Sequence, residues 1–222
     1  MNNYRGLIDV KKELLILVIL AFPIIYLSVV YDSLPAEVAT HFNLSGEADD
    51  WTDKQDLYLM FSLICGGMYV FLLVIPFIDP KKQIQKMGNK FFMIKLIISA
   101  LISILFTAML YSASVGSTNV DLIPLVLSIF FIGLGNYLQS VKPNYFIGIR
   151  TPWTLESKEN WNATHRFTGR LWMISFGLIL IFYFVIDKDL FYRYYFSAII
   201  VLSLIPVAYS FLFFLRRKNQ PN

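Results

Sequence analysis

Six stretches of the chain run for 18 to 22 residues almost without charge: 14–31, 57–78, 91–112, 122–141, 167–186 and 194–215. Each is flanked by charged or turn-forming residues. A bilayer core about 30 Å thick is crossed by about 20 apolar residues in a helix rising 1.5 Å each. The pattern therefore predicts an all-α, polytopic membrane protein of six transmembrane helices, forming a single integral membrane domain over 1–222. Lys11 and Lys12 precede the first stretch as they would in a signal peptide. The small-x-small pattern of a cleavage site is missing, since Glu37 and Ala39 occupy those positions, so the stretch reads as a retained span.

Lysine and arginine orient the spans. Fifteen lie at the N-terminus, in the loops after spans two and four and at the C-terminus, Arg5, Lys81 and Lys218 among them; three, Lys54, Lys188 and Arg193, lie on the other side. This bias predicts both termini in the cytoplasm, with the 142–166 loop beside them and the 32–56 loop outside. Composition agrees: 57% of residues are hydrophobic and 15% charged, against about 25% charged in soluble domains. The pI of about 9.0 comes from cations beside membrane spans, which points to lipid and not to direct nucleic-acid binding. Cys65 is the single cysteine, so neither an intrachain disulfide nor a cysteine-based metal motif is available.

Lys95 is the ionisable residue that the pattern places inside a span, five residues into the third; Arg170 counts with the preceding loop. Its flexible stem predicts an ammonium that snorkels to the headgroups. Asn136 and Gln139 lie at the same depth and are candidates to hydrogen-bond across helices. Pro23, Gly66, Gly67, Ser103, Ser175 and Pro206 occupy the midplane, and the two glycines predict a close helix approach. With no carboxylate or histidine there, the chain lacks the central polar site of a coupled transporter.

The distinctive residues collect in two loops. The outer one, DSLPAEVATHFNLSGEADDWTDKQD at 32–56, holds seven acids and one lysine. Either the acids are tolerated outside or they attract a cationic partner. The NLSG stretch at 43–46 has turn chemistry, and 43–45 is a formal glycosylation sequon. His41 with Glu47, Asp49 and Asp50 matches neither an EF-hand nor a zinc spacing, so no metal is expected. The inner one, at 142–166, contains NYFIGIRTPWTLESKENWNATHR. Residues 149–152 read as extended, because the residue before proline avoids the helical region. Ser157 reads as an N-cap, with Glu159 in the first turn of a helix that places Trp161 and His165 on one face and runs on into span five. Two readings stay open: an anchor at the headgroup layer, or a preorganised pocket in which Arg150 offers a forked donor to a carboxylate or phosphate. His165 with Glu156 or Glu159 is a formal acid–base pair, but no nucleophile partner or cofactor motif accompanies it.

The unbroken GIRTPWTL, with Asn144, Gly148, Arg150, Thr151, Pro152, Trp153, Thr154, Leu155 and Trp161, closely resembles the signature loop of the SdpI family of bacterial membrane immunity proteins. Leu34, Pro35, His41, Phe42, Asn43 and Gly46 resemble a domain often fused to it. The resemblance implies a non-enzymatic protein without cofactor or metal, in the bacterial cell membrane, protecting against a secreted toxin peptide and holding a cytoplasmic repressor at the membrane. Pro35, His41, Phe42, Asn43 and Gly46 are then candidates for the toxin side. Asn144, Gly148, Arg150, Thr151, Pro152, Trp153, Thr154, Trp161 and His165 are candidates for the repressor side. The alternatives are a membrane enzyme acting on lipid or envelope precursors at the inner interface, or a small transporter.

Overall fold

The computed structural model describes residues 9–44, 46–80, 82–116 and 122–218, without the side chain of Lys218. Arg5, Ser45 and Lys81, which enter the charge and turn arguments above, lie outside the described residues.

The elements run α1 (Val10–Val30), a 3-10 turn (Tyr31–Ser33), β1 (Glu37–Phe42), β2 (Ala48–Asp53), α2 (Leu57–Ile78), α3 (Gln83–Met87), α4 (Asn89–Ser114), α5 (Leu122–Leu138), α6 (Pro152–Glu156), α7 (Lys158–Val185) and α8 (Lys188–Lys218). Five segments are long and apolar enough to cross a membrane: Val10–Ser33, Leu57–Ile78, Asn89–Ser114, Lys158–Val185 and Lys188–Arg217. The remaining apolar stretch, the fourth, forms the 17-residue helix α5, three residues shorter than its sequence pattern. Its end is set locally. Ser140 and Val141 donate their N–H groups three residues back, to Tyr137 and Leu138, and Pro143 keeps Lys142 out of helical conformation.

The chain forms two compact units, Met1–Val126 and Leu127–Asn222. In the first, α1 packs along α4 and against α2. Leu27, Leu34, Val38, Leu57, Phe61 and Leu110 form one buried cluster, and Ile16, Leu20 and Cys65 another. The Phe61 and Phe106 rings stack at 4.1 Å.

The chain is mostly helical, as expected, and the outer loop departs from all-α. β1 and β2 pair antiparallel, with Glu37 opposite Asp53, Val38 opposite Thr52, Ala39 opposite Trp51 and His41 opposite Asp50. Val38 and Leu34 are buried against the helices, which pins the face of the strand that turns inward. Gly46, at φ 81°, supplies the left-handed residue of the connecting turn.

Lys95 does not snorkel. Asp9 caps α1, so Glu13 sits inside that helix, and its carboxylate lies 2.6 Å from the Lys95 ammonium. The two side chains are 13% and 5% exposed. A counter-charge in place removes the need to carry the ammonium out to water. The close helix approach also moves. A methyl group at Gly66 or Gly67 would meet nothing within 4 Å. In the second unit, one at Gly169 would run into the Gly135 carbonyl and the Gln139 side chain. Gln139 donates to the Met173 sulfur at 3.6 Å.

Candidate functional site

The second unit folds the signature loop into a plug held by α7 and α8. Asn144 is the first knot. Its side-chain oxygen accepts from the N–H groups of Phe146 (2.9 Å) and Ile147 (2.7 Å), and its amide donates to the carbonyls of Lys142 (2.9 Å) and Ile147 (3.1 Å). Both amide hydrogens and the oxygen are thus used on the loop's own backbone. The second knot is Gly148, at φ 119°, a conformation that favours glycine. A Cβ there would also collide with His165 Nε2.

His165 is buried and stacked on Trp161, with ring centroids 4.0 Å apart. Its Nε2 accepts from the Ile149 N–H at 3.1 Å, so the proton is assigned to Nδ1, which donates to the Trp161 carbonyl at 2.8 Å. Glu159 is occupied elsewhere, accepting from the Ser157 hydroxyl at 3.1 Å and lying 3.5 Å from Arg217. The His165–glutamate pair read from the sequence is therefore not assembled; backbone groups take both ring nitrogens.

The extended reading holds as far as Thr151, whose ψ is 158°. Pro152 then opens α6, a turn of helix that sequence reasoning missed. Thr151 and Thr154 close it reciprocally. The Thr154 N–H donates to Thr151 Oγ1 (3.3 Å) and the Thr151 N–H to Thr154 Oγ1 (2.9 Å), which passes its own hydrogen to the Ile149 carbonyl (2.8 Å). Threonine thus performs the capping-box role usual for Glu or Gln.

Two tryptophans fasten the plug. Trp161 donates its indole N–H to the Val141 carbonyl (2.8 Å). Trp153 donates to Ser210 Oγ on α8 (2.7 Å) and packs on Phe211 and Phe214. Ser157 caps α7 as expected, accepting from the Asn160 N–H at 3.1 Å. Asn160 donates to the Ser210 carbonyl and accepts from Thr164, and Thr168 donates to the Thr164 carbonyl. Asn160, Thr164 and Ser210 carry this network and were missed. Asn160, Thr164 and Thr168, four apart, are a polar stripe visible in the sequence.

Asn144, Thr151, Thr154, Trp161 and His165 are buried; Gly148 and Trp153 are half-buried; Arg150 and Pro152 are exposed. One Arg150 N–H is bound to the Tyr145 carbonyl at 2.6 Å.

In the first unit, His41, Phe42, Asn43 and Gly46 form the hairpin end, and Pro35 precedes β1. The Asn43 N–H donates to the Glu47 carbonyl (2.8 Å), the Gly46 N–H to the Asn43 carbonyl (3.0 Å), and the Glu47 N–H to the Asn43 side chain (3.0 Å). His41 Nδ1 lies 2.6 Å from the Asp49 carboxylate. Pro35 and His41 are exposed, while Phe42, Asn43 and Gly46 are half-buried.

Residues 140–214 match the model of the SdpI/YfhL protein family, and residues 18–65 match a domain of unknown function, DUF1648. The first match takes in the plug, α7 and most of α8; the second takes in most of α1, the hairpin and the start of α2. The chain is 24% identical over 177 residues to the immunity protein SdpI of Bacillus subtilis (strain 168), covering 78% of this chain and 82% of that one. No solved structure matches it. The resemblance read from the signature loop holds, and with the apolar helices it marks a multi-pass bacterial membrane protein.

Proposed function

We propose that this chain is a non-enzymatic immunity protein of the SdpI type, guarding the cell membrane against a secreted toxin peptide. The observation that carries the reading is the family match over 140–214, which takes in the folded plug and the helices that hold it. The plug's chemistry supports it: His165 and Asn144 direct their polar atoms at backbone groups, and such residues build a shape rather than a reaction centre.

In this reading α5 also crosses the membrane, as the fourth of six spans. Its 17 residues reach about 26 Å, short of but close to the hydrocarbon thickness. With six spans, both termini and the plug lie in the cytoplasm and the hairpin outside in this reading, which the cation bias supports. The hairpin faces the toxin and the plug faces a cytoplasmic repressor. Within the plug, Arg150 and Pro152 present the contact surface, and the buried motif residues hold them in place.

The test is expression in a toxin-sensitive bacterial host. Survival is expected, with Arg150→Ala reducing capture of the repressor while the protein still inserts at normal abundance. Killing that is unchanged by expression, against every peptide tried, refutes the immunity reading. Cysteine labelling that places Trp153 and His41 on one side of the membrane refutes the topology.

A further inference from the structure

The hairpin of the first unit covers a groove. Val38, Phe42 and Trp51 wall it on one side and Ala108, Met109 and Ala113 of α4 on the other, around a cavity of about 310 Å³. Pockets for small ligands and side-chain anchors run from about 300 to 1,000 Å³. Trp51, which lines it, is 50% exposed. A half-exposed tryptophan beside an apolar hollow is the kind of anchor that recurs at binding hot spots.

Among the described residues, the edge of the groove carries negative charge. Glu37 lines the cavity and stands directly across the strands from Asp53, next to the Ala39–Trp51 pair. Directly opposed residues of an antiparallel pair share a face, and like charges there repel. Neither carboxylate has an ion-pair partner among the described residues. Lys54, the loop's single lysine, is turned away: its ammonium lies 3.5 and 3.4 Å from the carbonyls of Tyr31 and Leu34 and 4.8 Å from the Tyr31 ring centre.

We propose that this groove docks a cationic amphipathic peptide, with an aliphatic or aromatic side chain entering the cavity against Trp51 and a lysine or arginine settling between Glu37 and Asp53. The apolar wall and the facing carboxylates ask for opposite chemistries a few ångströms apart, and such a peptide carries both. A phospholipid tail would fill the hollow, but its headgroup would set a phosphate against uncompensated carboxylates. The inference rests on the reading of the hairpin as the toxin-facing surface and gives that toxin its chemistry.

The full-length protein in phosphatidylcholine nanodiscs is titrated against a fluorescein-labelled synthetic helix of leucine and lysine, and against its leucine–glutamate counterpart, by anisotropy with empty discs subtracted. The leucine–lysine helix is expected to bind, the counterpart not, and added salt should weaken binding. Glu37→Gln with Asp53→Asn, both exposed, should raise Kd about tenfold, the worth of a charged hydrogen bond. Ala108→Phe, which fills the groove, should weaken it as well; Trp51→Ala, at an exposed position, supplies the same test should Ala108→Phe not fold. Equal binding of the two helices, no excess over empty discs, or a carboxylate variant that binds like the wild type overturns the proposal. Variants that lose the peptide yet still protect a host would sink the site and leave the immunity reading standing. Intact peptide binding without protection would do the reverse.

Discussion

Removing Glu13 should unseat α1 from α4. Glu13→Ala leaves the Lys95 ammonium, 5% exposed, with its carboxylate gone. At 2.6 Å the pair attracts with about 6 kcal/mol at an effective dielectric near 20. Desolvating the two ions costs several kcal/mol each, so the intact pair is close to neutral against an apolar replacement. Breaking it from one side is different: about 3–5 kcal/mol is lost, because one buried charge remains uncompensated. The double variant Glu13→Leu with Lys95→Met removes both charges and should recover most of that loss. Unfolding of the purified protein in mixed micelles with rising SDS, followed by tryptophan fluorescence, measures Glu13→Ala beside the four members of the cycle: wild type, Glu13→Leu, Lys95→Met and the double variant. The expected order is wild type near the double variant, with both singles well below. If Glu13→Ala unfolds like the wild type, or if the double variant loses the sum of the singles, the two groups are not coupled and Lys95 reaches the headgroups after all.

The plug and the helix packing yield further expectations. Gly148→Ala, with its Cβ directed at His165 and φ at 119°, should cost about 3 kcal/mol from clash and backbone strain together, seen as early SDS unfolding. Ser210→Ala leaves the Trp153 indole N–H without its acceptor and should cost about 1–3 kcal/mol, with a shift in tryptophan emission, whereas the bond from Asn160 goes to the Ser210 backbone and survives. Gly169→Ala should lose about 1–3 kcal/mol against the Gly135 carbonyl. Gly66→Ala, with open space around it, should gain about 0.5–1 kcal/mol, and equal outcomes at the two glycines would refute the packing described for them.

The spans were legible because hydrocarbon tolerates no unpaired backbone group and demands long apolar runs. Glu13 was not, because a window drawn around apolar residues stops at the first charge, and the pairing that admits this charge comes from a helix 82 residues away. The hairpin was hidden by its acids. Strand propensity in 37–53 is weak, and the pairing depends on Val38 and Leu34 finding a helical surface, which no local pattern reports. The Ser157 cap and the shared face of Trp161 and His165 depend on residues within one helical turn, and these emerged correctly.

The signature loop divides along the same line. As a string, GIRTPWTL suggests a reactive or ligand-gripping surface, since it gathers an arginine, two threonines and a tryptophan. In the fold all four have partners within the second unit: Thr151 and Thr154 cap each other, Trp153 reaches α8, and one Arg150 N–H is held by the Tyr145 carbonyl. Pro152 starts the helix that the threonines close, and Gly148 makes room for the imidazole that holds Ile149. Most of the motif therefore specifies one backbone path, and Arg150 is the exposed cation which that path fixes in place. The specificity of the string reflects how many hydrogen bonds must agree at once, so that a substitution at a buried position perturbs the shape first and any partner only through it.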